Sequence, residues 1–203
     1  MNSAGLKRRS VFGVAVLWLA KATIASAQAP KPRVKITTDR GSFVVELEAA
    51  KAPITSANFL KYVDAAKYDG GTFYRASRRP GAPQEGVIVG GMSVKAHPFP
   101  PITHESTETT GLRHVTGTIS LGRFAPGTAT ADFFICASPQ PYLDAHPKEK
   151  GDNLGFAAFG QVVQGMGTVR RILALPTKAK SPFPEQKGQW LTKPVSILSM
   201  KRL

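Results

Sequence analysis

A closed antiparallel β-barrel with helices over its ends is the fold this sequence predicts. Three observations predict it. Eight short runs rich in β-branched and aromatic residues follow one another along residues 34–199. Only two well-separated stretches carry helical spacing. Glycine (19) and proline (16) are frequent in the 203 residues, which suits many short elements joined by turns. Closing the sheet on itself removes the exposed edges that so many strands would otherwise leave.

The elements follow in order. Val34–Thr38 alternates apolar and polar residues, and so does Phe43–Glu48, with Phe43, Val45 and Leu47 on one face. Asp39-Arg40-Gly41-Ser42 between them is a turn sequence, so the pair reads as a hairpin. Pro53 fits the first turn of a helix. Phe59, Leu60 and Val63 recur at helical spacing and carry that helix to about Ala66. Strands are expected over Thr72–Ala76, Val87–Val89, Thr116–Leu121, Phe133–Ala137 and Phe156–Val163. Met166–Leu175 is a second amphipathic helix with Val169, Ile172 and Leu173 apolar. Pro176–Lys193, rich in Pro and Lys, reads as a long loop, and Val195–Ser199 as a closing strand.

Residues 1–27 read as an export signal. Lys7-Arg8-Arg9 is a positive start, Val11–Ala20 is an apolar run short for a bilayer, and Ala25-Ser26-Ala27 is a cleavage site. Cleavage there makes Gln28 the first residue of a domain over residues 28–203. Arg8-Arg9 and Lys21 fit a twin-arginine route, an ordinary secretory route fits as well, and both stay open. Setting aside the four bases of the signal, 23 of the 27 Lys and Arg remain against 13 acidic residues, a net charge of +10. The bases are scattered and no stripe interleaved with stacking aromatics forms, so nucleic acid is not expected as a partner. A solvated basic surface, or one facing anionic envelope polymers, is the reading that charge leaves. Cys136 is the sole cysteine and lies in an apolar run, a small buried hydrophobe rather than an activated thiol. His97, His104, His114 and His146 lack metal-ligand spacing and read as surface or loop residues; neither metal nor cofactor is expected.

Several motifs stand in a telling order: Ala57-Asn58-Phe59-Leu60, Phe73-Tyr74-Arg75, Gly90-Gly91, Gly117-Thr118-Ile119-Ser120, Phe133-Phe134-Ile135, Tyr142-Leu143-Asp144, Phe159-Gly160-Gln161-Val162 and Gly165-Met166. Together they resemble the cyclophilin family of peptidyl-prolyl isomerases, bacterial exported members above all, from about Val34 to Leu203. The resemblance implies an eight-stranded barrel capped by two α-helices and a cofactor-independent isomerase. It implies that Arg75 is the catalytic group, that Phe134 floors a proline pocket with Leu121 beside it, and that Tyr142 and Phe156 rim it. The backbone at Gly122 and Arg123 would bind the substrate chain.

The chain departs from the family pattern at three places. Val89 stands where the family has a groove Gln, removing an amide that orients the Arg. Asp132 replaces the Gln before Phe-Phe and could pair with Arg75 or Arg123, or face solvent. The segment between Arg75 and Gly90 carries an insert, Ser77–Pro83, and the family's groove Phe has only Gly86 near its place.

Rotation about an X-Pro bond meets a resonance barrier of roughly 18–20 kcal/mol, and uncatalysed exchange is slow enough to limit folding. A guanidinium can lower that barrier by donating a hydrogen bond to the prolyl nitrogen as it becomes pyramidal, and it stays charged at any working pH. The expected function is therefore prolyl isomerisation during folding of exported, proline-containing polypeptides in the periplasm. The protein would be a monomer with no stable membrane association once the signal is removed. A cyclophilin-fold peptide-binding module or holdase with little turnover is the alternative that Val89 and the insert raise.

Overall fold

The structure, a computed structural model, describes residue 1 and residues 30–92 and 97–203. Apart from residue 1, the expected export signal and its cleavage site lie outside the described residues. Eight strands close into a barrel: β1 (Arg33–Thr38), β2 (Gly41–Leu47), β3 (Thr72–Arg79), β4 (Ala82–Gly91), β5 (Thr118–Leu121), β6 (Phe133–Cys136), β7 (Ala157–Gln164) and β8 (Trp190–Arg202). Around the barrel the order is β1-β2-β7-β5-β6-β4-β3-β8, with β8 returning to β1. Each neighbouring pair is antiparallel.

The first hairpin shows how alternation builds the interior. Val34 faces Val45 and Ile36 faces Phe43 across the ladder, and all four are buried. Each such side chain contributes roughly 1.5–3 kcal/mol by leaving water. The hydroxyl of Thr38 donates to the Gly41 carbonyl (2.7 Å) and accepts from the Arg40 amide (3.1 Å), which closes the turn.

The first helix, α1 (Pro53–Asp64), sends Phe59 into the aromatic core against Tyr68, Phe133 and Phe159, with ring centroids 5.3–5.7 Å apart. Its N-terminus is served from outside the helix. The carboxylate of Glu105, a buried residue, accepts from the amides of Ile54 (3.1 Å) and Thr55 (2.7 Å) and from the Thr55 hydroxyl (2.7 Å). An anion is well placed there, because the first amides of a helix have no partner within it. The C-terminal helix, Met166–Leu173, buries Val169, Ile172 and Leu173 against the barrel.

Three differences from the expected elements bear on the site. A one-turn helix, α2 (Thr107–Thr110), precedes the C-terminal one (α3), and the Ser106 hydroxyl caps it by accepting from Glu108 N (3.2 Å). It is too short to leave a periodic signal. The insert after Arg75 lies in a longer β3–β4 hairpin turned at Pro80-Gly81, where Gly81 takes φ 78°. Gly86 in that hairpin has φ 142°, and a Cβ there would lie 2.0 Å from the Ser77 carbonyl oxygen, so no groove side chain fits at 86. Finally, β8 begins at Trp190 rather than near Val195, because the end of the expected loop pairs with β3 opposite Arg75.

Candidate functional site

One transverse row of residues crosses five strands. Ser120 of β5 stands beside Phe134 of β6, Phe134 beside Val89 of β4, Val89 beside Arg75 of β3, and Arg75 beside Trp190 of β8. Neighbours in such a row share a face of the sheet. A groove of about 630 Å³ lies over it, and Arg75, Val89, Phe134 and Trp190 all line it.

Arg75 reaches that face through a break in alternation. Side chains two apart on a strand point the same way, so Arg75 would follow buried Phe73 into the barrel. A bulge between Phe73 and Arg75 shifts the register against both β4 and β8. An inserted residue reverses the parity. Buried Phe73 and Ala76 therefore sit three apart, and Tyr74 and Arg75 are both left partly exposed on the groove side.

The guanidinium is nonetheless half-withdrawn from water, and that desolvation lowers its pKa from the usual value while leaving it charged. Its Nη1 donates to Oε1 of Gln189 at 2.8 Å. Beside it, the indole of Trp190 stacks on Tyr74, with centroids 4.9 Å apart and planes 27° apart. The Tyr74 hydroxyl donates to Asp132 Oδ2 at 3.4 Å, and burial raises the Tyr74 pKa well above the ordinary phenol range.

Unbroken alternation supplies the floor. Phe133 is fully buried in the barrel core, whereas Phe134 joins a separate small cluster with Val87, Val89 and Cys136, packed by Tyr74, Leu143 and Phe156. Phe156 meets Phe134 edge-on at 5.4 Å and 88°. Behind Phe134 lies a buried polar line. His114 Nδ1 is 2.7 Å from Asp144 Oδ1, and its Nε2 is 3.0 Å from the Ser120 hydroxyl. The His114 amide also donates to Asp144 Oδ1 (3.0 Å). His114 is thus a core residue, contrary to the surface position expected for it. Burial lowers its pKa despite the opposing pull of Asp144.

The expected site residues gather here with one exception. Arg75, Phe134, Val89, Gly122, Arg123, Tyr142, Phe156 and Asp132 all line the groove. Leu121 does not: it lies two residues beyond Ile119, on the inward face of β5, and is buried in the barrel core. Leu143 takes the corresponding place in the small cluster. At Gly122 and Arg123, whose backbone is expected to bind the substrate chain, the structure shows these bonds within the protein. The Gly122 amide is already committed to the Asp132 carbonyl at 2.7 Å. Arg123 acts through its side chain as a brace, with both terminal nitrogens on Asp152 (2.6 and 2.8 Å) and Nε on the Gly155 carbonyl (2.9 Å). That fork lies 5.3 Å over the ring of Phe156 and lowers the pKa of Asp152. Tyr142 stands at the rim, two-thirds exposed.

Sequence reasoning missed Val87, Phe183, Gln186, Gln189 and Trp190. Val87 could have been found, because it lies two residues before Val89 on the same strand face. The other four come from the segment read as a plain loop, and no local pattern marks them.

The comparisons agree with this architecture. Residues 33–202 match the family model described as "Cyclophilin type peptidyl-prolyl cis-trans isomerase/CLD". The chain is 33% identical over 197 residues to peptidyl-prolyl cis-trans isomerase A of Dickeya dadantii, covering 96% of this chain and 97% of that one. It is 32% identical over 173 residues to a peptidyl-prolyl cis-trans isomerase of Acinetobacter baylyi, covering 83% and 84%. The crystal structure of a cyclophilin type isomerase from Cryptosporidium parvum superposes with a TM-score of 0.67 at 19% identity, covering 85% and 98%. A second crystal structure of that protein, in the presence of the dipeptide Ala-Pro, gives 0.64 at 20% identity, covering 83% and 96%. The chain belongs to the cyclophilin type peptidyl-prolyl cis-trans isomerase family.

Proposed function

We propose that this protein is an exported prolyl isomerase that turns X-Pro bonds in proline-containing polypeptides, with Arg75 as the catalytic donor. The observation that carries the reading is the transverse row itself. Arg75 and Phe134 are two strands apart, about 10 Å between backbones. That spacing leaves an apolar gap over Val89 for one prolyl ring, with a charged donor on one side and an aromatic floor on the other. The chemistry needs nothing more than binding and polarisation. As the peptide twists, resonance is lost and the prolyl nitrogen becomes a hydrogen-bond acceptor. A donor that bonds only that twisted state lowers the barrier. A hydrogen bond to a charged group contributes about 1.5–3 kcal/mol, which is roughly 10- to 150-fold in rate.

Residues 1–27 are proposed as a cleaved export signal, with the folded domain over 28–203 acting as a periplasmic monomer on exported clients. The Lys7-Arg8-Arg9 start, the apolar run and Ala25-Ser26-Ala27 support this. Mass spectrometry of the protein recovered from the cell envelope should give Gln28 as its first residue.

The binding-module alternative rests on Val89 and on the insert. Gln189 stands beside Arg75 with an amide, and the insert extends a hairpin, which weakens both grounds. The deciding experiment is isomerisation of short X-Pro peptides by the mature protein and by Arg75→Ala. Turnover that collapses in the variant while peptide binding partly survives supports catalysis. Binding without turnover in both proteins supports the module.

A further inference from the structure

We infer that Gln189, at the foot of β8, is a positioning residue that orients the Arg75 guanidinium for the prolyl nitrogen. The inference rests on the isomerase reading above and deepens it. Among the described residues, Gln189 Oε1 is the hydrogen-bond acceptor recorded for Arg75, at 2.8 Å and 114 residues away in sequence. A guanidinium on three rotatable methylenes is a poor catalyst unless something fixes its plane, because donation must be aimed at one atom.

The amide is itself held in place. The Gln189 carbonyl accepts from the Ala76 amide at 2.9 Å, and the Gln189 amide donates to the Gln186 carbonyl at 3.1 Å. The next residue, Trp190, is the ladder partner of Arg75, stacks on Tyr74 and donates from Nε1 to Gln186 Oε1 at 3.1 Å. Residues 186–190 therefore clasp the bulge that carries Arg75. An uncharged acceptor also suits the task. It fixes one edge of the guanidinium without pairing off the positive charge that the twisted peptide must feel, as a carboxylate at that point would.

On the other side of Arg75 stands Val89, whose side chain cannot accept a hydrogen bond. The orienting role thus falls to the segment before β8, and an amide placed at 89, the other ladder neighbour of Arg75, is proposed to take it over.

The test is peptide isomerisation and peptide affinity measured on the mature protein and three variants. Gln189→Ala should lose roughly 10- to 100-fold in kcat with peptide affinity changed by less than about threefold. A merely structural role would instead move the melting temperature and leave kcat per folded molecule alone. Gln189→Glu keeps an acceptor but offsets the guanidinium's charge with a carboxylate, and should recover only part of the lost kcat with peptide affinity again within about threefold. Val89→Gln placed in the Gln189→Ala background should restore most of the lost kcat. A Gln189→Ala variant that keeps its kcat overturns the role, as does loss that Val89→Gln leaves unrepaired. Inactivity of the unmodified protein overturns the isomerase reading and this role with it, and is seen before any variant is made.

Discussion

The imidazole of His114 lies against the back of Phe134, nearly parallel to it at 16° with centroids 5.7 Å apart. The floor of the groove therefore rests on a buried titratable ring. Burial lowers the His114 pKa below its ordinary 6.5. Below pH 6.5 the unfolded chain takes up a proton that the folded ring resists, so this contribution to stability is complete above about pH 6.5 and is lost as pH falls toward and through the folded value. The urea midpoint should be flat from pH 7 to 8 and fall between pH 6.5 and 5. Since carboxylates titrate mostly below that window, His114→Gln should flatten the profile. An equally steep fall in the variant would place the acid sensitivity elsewhere.

Phe183 packs against Phe124 with centroids 6.1 Å apart, both rings line the groove, and Phe183 comes from the long segment before β8. It lines the groove proposed to take the peptide but lies off the row that holds Arg75. Phe183→Ala should raise KM several-fold with kcat nearly unchanged, the signature of binding that is equal in ground and transition states. A fall in kcat at constant KM would move Phe183 into the polarising machinery.

Most of the barrel is legible in the sequence because alternation and turn chemistry are local. Phe133 and Phe134 separate into core and groove by period two alone, and Pro53 announces α1. The site is less legible because its decisive features are not periodic. The bulge at Tyr74 reverses the facing of Arg75, and no residue type there demands it. Simple alternation read forward would have buried the guanidinium, and the right face for Arg75 came from family resemblance. Leu121 errs the other way, since it keeps the alternation and so faces inward. Gln189 and Glu105 act across 114 and about 50 residues, distances over which a sequence pattern carries no contact information.

Glu105 gives a stability prediction separate from the groove. Its carboxylate satisfies two amides and one hydroxyl at the start of α1. Glu105→Ala leaves these donors buried and unpaired, and should cost about 1.5–3 kcal/mol, lowering Tm by several degrees. Glu105→Gln keeps one oxygen and should cost less. Below the new Tm, isomerase turnover should match that of the unmodified protein. A melting curve unmoved by the Ala variant would mean that water serves these donors equally well.

Cys136 completes the floor and can report on its opening. It is fully buried between Val87 and Phe134 in the small cluster, and burial pushes its thiol up to about 12. At pH 8 only about one thiol in ten thousand is ionised, and it is the thiolate that reacts. A thiol reagent such as DTNB should therefore label the folded protein over hours and the denatured protein at once, with one equivalent released, since the chain has one cysteine. Access to the sulfur requires Phe134 or Val87 to move, so the slow native rate measures how often the groove floor opens. A proline-containing peptide seated over Phe134 should slow that labelling in proportion to occupancy. Labelling that is rapid in the native state, or indifferent to peptide, would mean that the floor opens independently of the groove it supports.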